Sequence, residues 1–66
     1  MLRTAHEIVK ELVDVKQCSY GYIAQQAGIA RSAVQNTYHG KTVREEAYRK
    51  ILEVAKQEGV AIEQAF

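Results

Sequence analysis

The chain has 66 residues, 47% hydrophobic and 26% charged, with a formal net charge of +1, which describes one ordinary globular domain over residues 1–66 and excludes disorder. Its single cysteine, Cys18, excludes an intramolecular disulfide, no Cys/His cluster suits zinc, and no apolar run has signal-peptide or membrane-span character. A cytoplasmic setting without membrane or metal is expected, and so small a chain buries only roughly 60% of its unfolded surface, which makes it marginal in stability or dependent on association.

Ala5, Ile8, Val9, Leu12 and Val13 recur at helical spacing, predicting an amphipathic first helix over 4–17. Thr4-Ala-His-Glu7 has capping-box form, in which threonine oxygen and glutamate carboxylate satisfy donors at the helix start. Ser19 suits the N-cap of a second helix over Tyr20–Ala27, which Gly28 ends, and Cys18 before it reads as a structural, at least half-buried cysteine. A third helix is predicted over Arg31–Tyr38, closed by His39-Gly40. Thr42-Val-Arg-Glu45 has the form of a second capping box, opening a long helix over Val43–Glu58 with Ala47, Ile51, Val54 and Ala55 on one face. Gly59 stops it, and Ala61–Phe66 is expected to add one more turn that seats Phe66 on the core. Tyr22, Tyr38 and Tyr48 read as core aromatics with wet hydroxyls. Without proline or a clear period-2 run, the chain reads as an all-α domain of about five helices.

The second and third helices carry the most information. Ala24 stands four positions before Gly28, Ile29 follows it, and Val34 lies six positions on. This is the spacing of a helix-turn-helix, whose second helix enters the major groove of DNA. The charge is unevenly spread to match. Residues 1–28 are neutral on balance, 29–50 carry an excess of +3, and 51–66 carry −2. Positive charge therefore falls on the third helix and the segment after it, the sign expected of a phosphate-facing surface.

Three stretches resemble the Cro and phage-repressor family of helix-turn-helix regulators, also called the xenobiotic-response-element family. Ile23-Ala-Gln-Gln-Ala-Gly-Ile29 is similar to its second helix and turn. His39-Gly40-Lys41 is similar to its helix-ending glycine and following lysine, and Glu58-Gly59-Val60-Ala-Ile-Glu-Gln-Ala-Phe66 to its last segment. The resemblance implies a five-helix, lambda-repressor-like domain acting as a homodimer on a near-palindromic double-stranded operator, in a phage or prophage switch. It implies a groove-facing set of Ala30, Arg31, Ser32, Gln35 and Asn36, with Tyr20, Lys41 and Arg44 beside the DNA backbone. Four positions depart from the family pattern. Ala30 stands where Ser or Thr caps the recognition helix, Thr37 where an aliphatic residue is common, and Glu58 where leucine is usual, loosening the end of the fourth helix. The segment from Gly40 to Gly59 is also about two residues longer and lacks a frequent proline.

The chemistry of those residues suits the roles. Arg grips O6 and N7 of guanine, and Gln or Asn grips N6 and N7 of adenine, each pair discriminating by about 1–3 kcal/mol. A helical period puts 31, 32 and 35 on one face with 36 at its edge. Lys41, Arg44 and Tyr20 offer a charge or hydroxyl to phosphates, which position a protein without reading sequence. Arg49 and Lys50, farther along the fourth helix, read as solvated. The apolar tail Val60–Phe66 and the exposed side of the fourth helix near Val54 are the candidate dimer surfaces. No nucleophile–base pair, carboxylate pair or phosphate-binding loop is visible, so no enzymatic activity and no cofactor is expected. The competing expectation is a protein-interaction module, such as an antirepressor built on the same fold.

Overall fold

A computed structural model describes residues 1–64. Among them are four helices: α1 over Ala5–Asp14, α2 over Tyr20–Ala27, α3 over Arg31–Tyr38 and α4 over Glu45–Glu58. None of these is long and apolar enough to cross a membrane. Both α1 and α2 pack against α3 and α4. The core they enclose takes Ile8, Val9 and Leu12 from α1, Ile23, Ala24 and Ala27 from α2, Val34 from α3, and Ile51, Val54 and Ala55 from α4.

Local signals set most helix ends. Thr4 caps α1 with both bonds of the capping box formed: its hydroxyl accepts from the Glu7 N–H, and the Glu7 carboxylate accepts from the Thr4 N–H. Ser19 caps α2 through the Tyr22 N–H at 3.0 Å. At Gly28 the chain takes φ +72°, and the N–H groups of Gly28 and Ile29 both donate to the Ala24 carbonyl, at 2.8 and 3.1 Å. That left-handed step costs least without a Cβ, and it turns the chain from α2 into α3.

Three boundaries differ from the sequence reading. Helix α1 stops at Asp14 rather than residue 17, because Gln17 adopts φ +59° and the Cys18 N–H returns to the Leu12 carbonyl at 2.9 Å. Helix α4 starts at Glu45, not Val43, and the second capping box does not form: Arg44 is its N-cap, without a side-chain bond. Residues 41–44 stay non-helical, with Val43 packed against the core, and the acidic Glu45 and Glu46 supply the negative charge that a helix start favours. The turn expected from Ala61 onward is not helical through residue 64. Leu2 and Glu63 instead form an antiparallel bridge, with the Arg3 N–H donating to the Ile62 carbonyl at 2.8 Å and the Gln64 N–H to the Met1 carbonyl at 2.9 Å. The expected seat of Phe66 lies outside the described residues.

Side-chain bonds tie the helices further. Thr37 is 1% exposed and sits in the core, its hydroxyl donating to the Ala33 carbonyl at 2.7 Å. Its own carbonyl accepts from His6 Nδ1 at 3.0 Å, tying α3 to α1. Glu58 does not loosen α4, for its carboxylate accepts the Tyr22 hydroxyl at 2.7 Å and holds α2 to the end of α4. That bond also corrects the core reading of Tyr22, which is 40% exposed, and pushes its phenol above the ordinary tyrosine value. Tyr38 and Tyr48 do pack on the core, yet their hydroxyls bond to protein. Cys18 is half-buried against the core, and burial, followed by the Glu58 charge, raises its thiol pKa.

Candidate nucleic-acid interface

Helix α3 has two sharply different faces. Val34 and Thr37 are buried, whereas Arg31, Ser32, Gln35 and Asn36 are exposed, as is Ala30 at the N-cap. Helical periodicity puts Arg31 above Gln35 and Ser32 above Asn36, so the four side chains form one continuous outward strip. Ala30 makes no side-chain cap bond, and no side-chain hydrogen bond within the described residues engages the strip. Its donors and acceptors are uncommitted.

The chain then turns sharply at the end of α3. Gly40 takes φ +87°, its N–H donates to the Thr37 carbonyl at 3.0 Å, and the Lys41 N–H donates to the Asn36 carbonyl at 2.9 Å. Lys41 is thereby held one turn from Asn36, with its side chain exposed. Arg44 and Asn36 border a common cleft of about 210 Å³ with Thr42 and Ala47. Lys41 instead borders a separate groove of about 650 Å³ against Thr4, Ala5 and His6. Lys41 and Arg44 thus border different depressions, both of which Thr42 and Val43 also line.

Tyr20 approaches from α2. Its half-buried ring packs on the core and against Tyr38, the last residue of α3, with ring centroids 5.6 Å apart and planes at 57°. The start of α2 and the end of α3 are therefore in contact through two aromatic rings.

Ion pairing separates the cations into two groups. Five of the nine Lys and Arg residues lie within 4 Å of a carboxylate: Arg3 with Glu11, Lys10 with Asp14, Arg49 with Glu45, Lys50 with Glu46, and Lys56 with Glu53. Arg49 and Lys50, read as solvated, are spent on their own helix. Among the described residues the remaining four are Lys16, Arg31, Lys41 and Arg44. Three of these belong to α3 and the connection after it, and Lys16 lies in the turn before α2. Sequence reasoning misses Lys16, although it has no acidic residue three or four positions away to neutralise it.

Val54, 1% exposed, and Val60, 4% exposed, are core residues within the two candidate dimer surfaces, the exposed side of α4 near Val54 and the tail Val60–Phe66.

No protein-family model, curated protein or solved structure matches the chain.

Proposed function

We propose that this chain is a sequence-specific, double-stranded DNA-binding transcriptional regulator of the Cro-like, lambda-repressor-like kind, reading the major groove with α3. One observation carries the reading: three of the four cations free of carboxylate partners among the described residues, Arg31, Lys41 and Arg44, fall on α3 and the connection after it, where the Arg31, Ser32, Gln35 and Asn36 side chains are exposed and without hydrogen-bond partners. A cation already paired with a carboxylate gains little from a phosphate. An unpaired one releases counterions on binding and draws affinity from it.

In this reading Arg31 and Gln35 contact base edges, with Ala30, Ser32 and Asn36 lining the same groove. Arg31 presents the fork that matches guanine, and Gln35 the paired donor and acceptor that match adenine. Tyr20, Lys41 and Arg44 hold phosphates and fix the register. One domain of this size covers only half a site, so two copies on a near-palindromic operator, roughly 34 Å apart, give the full affinity. Occupancy of that operator is the regulatory act, by blocking or recruiting polymerase.

Selection of bound duplexes from a random pool, followed by fluorescence anisotropy at two salt concentrations, tests the proposal. Arg31→Ala is expected to weaken the selected sequence by about 1–3 kcal/mol while sparing random duplex. Lys41→Ala is expected to weaken both alike and to reduce the salt slope by about one. Absence of any salt-dependent duplex binding refutes the reading and favours the protein-interaction module.

A further inference from the structure

We propose that Tyr38 is a positioning residue that holds the Tyr20 hydroxyl toward a DNA phosphate; this rests on the DNA-binding reading above. The four tyrosines divide as the cations do. Tyr22 donates to Glu58, Tyr38 to Asp14 at 2.9 Å, and Tyr48 to the Arg3 carbonyl at 2.7 Å. The Tyr20 hydroxyl makes no hydrogen bond among the described residues, and no buried side-chain oxygen there lacks a partner, so this hydroxyl faces solvent. Its ring, by contrast, is half-buried and rests on Tyr38.

Tyr38 is itself fixed on several sides. Asp14 accepts its hydroxyl, Lys10 Nζ stands 5.3 Å from its ring centroid, and the His39 ring meets it edge-on at 5.4 Å. Lys10 and Asp14 are joined at 3.2 Å, so both contacts come from one braced pair on α1. The order of support runs from α1 through Tyr38 at the end of α3 to Tyr20 at the start of α2. A side chain ordered before binding has no rotamer freedom left to lose when it meets a phosphate. An unsupported tyrosine at the same position would have to be ordered by the DNA.

A double-mutant cycle on a random-sequence 20-base-pair duplex tests this, read by anisotropy well below the melting midpoint of each variant. Tyr20→Phe, which removes a bond to a charged oxygen, is expected to weaken binding about tenfold. Tyr38→Leu is expected to weaken it by roughly three- to tenfold, and the double variant no more than Tyr20→Phe alone. Tyr38→Phe, which keeps the ring contact, is expected to return binding to within about twofold of wild type. NMR of the free Tyr38→Leu protein is expected to show the Tyr20 ring averaging among rotamers while distant backbone signals stay in place. If Tyr38→Leu does not fold, Tyr38→Met, which removes the ring, keeps apolar bulk and changes no charge, is expected to weaken binding about threefold in the wild-type background and not at all beside Tyr20→Phe. Additive losses, or an unchanged Tyr20 ring, overturn the positioning role while the DNA-binding reading stands. Failure of the wild-type protein to bind any duplex overturns both.

Discussion

Gly28 and Gly21 lie seven residues apart in one helix-turn unit, yet the same substitution is expected to act in opposite directions. A Cβ built at either position meets nothing within 4 Å, so sterics with the rest of the fold drop out of the comparison. What remains is the backbone. At Gly28, with φ +72°, alanine must hold a left-handed conformation that costs about 1–2 kcal/mol, offset in part by roughly 0.4–1 kcal/mol from a less flexible unfolded chain. The net expectation for Gly28→Ala is a loss of about 1 kcal/mol. Gly21 is the second residue of α2, where alanine fits the helix and the unfolded-state term acts alone, so Gly21→Ala is expected to gain about 0.5–1 kcal/mol. For a domain of this size each kcal/mol moves the midpoint by roughly 4–8 °C. Thermal and urea unfolding followed by circular dichroism at 222 nm would place the two variants on opposite sides of wild type. Gly28→Asn, which tolerates the left-handed region, belongs between wild type and Gly28→Ala. Shifts of the same sign for both alanine variants would show that φ at residue 28 is not what the turn depends on.

Ile51→Ala removes a side chain with 0% exposure from the centre of the core and is expected to cost about 2–5 kcal/mol, enough to leave much of the chain unfolded at 37 °C in a calorimetric scan. Tyr48→Phe deletes the bond to the Arg3 carbonyl, and urea titration is expected to find a loss of about 1 kcal/mol. Stability is expected to be flat through neutral pH and to fall at both extremes in pH-dependent melts. The Glu7 and Asp14 carboxyls lie below their ordinary values, Glu7 through its bond from the Thr4 N–H and Asp14 through the Tyr38 hydroxyl, so their contribution is present above the unfolded value of about 4 and is lost as pH falls below it through the lower folded values. The Tyr38 and Tyr22 phenols are raised by Asp14 and Glu58, so theirs is present below the unfolded value and lost as pH climbs above about 10. Asp14→Asn is expected to reduce the acid limb, and an unchanged limb would remove Asp14 from that account.

The helix-turn unit was readable because its signals are local. Ser19, Gly28 and the apolar spacing of Ile23, Ala24 and Val34 each act within one or two turns, and α2 and α3 have the bounds they specify. The capping box at Thr4 formed and the one at Thr42 did not, although both match the same pattern. In the second case the helix begins only at Glu45, with Val43 in the non-helical connection and packed against the core, a contact made with residues distant in sequence. Likewise nothing near Gln17 announces a left-handed residue, and the pairing of residues 1–3 with 62–64 joins opposite ends of the chain. Of the candidate site, the exposure of Arg31, Ser32, Gln35 and Asn36 followed from helical period alone. The unpaired state of Arg31, Arg44 and Lys16 was equally legible, since none has a carboxylate three or four residues away. Lys41 was harder, because Glu45 stands four positions on and only the non-helical connection keeps the two from pairing as helix neighbours. The contact of Tyr20 with Tyr38 needed the packed structure.

The burial of Val54 and Val60 bears on how two copies would meet. Both side chains are consumed by the core, and the exposed large hydrophobics among the described residues are Met1, Leu2, Val15 and Tyr22. Of these Tyr22 is bonded to Glu58, and Met1 and Leu2 belong to the short terminal pairing. A stable interface buries about 1,200–2,000 Å² in total with an apolar centre. Among the described residues, these four do not supply one. Sedimentation at micromolar concentration is therefore expected to find a monomer in the absence of DNA, with pairing appearing only when a duplex presents two half-sites. The salt dependence of that assembly would follow the unpaired cations of both copies, about twice the slope of a half-site duplex. A dimer that persists without DNA, unaffected by added salt, would mean that an apolar contact beyond these four residues drives association.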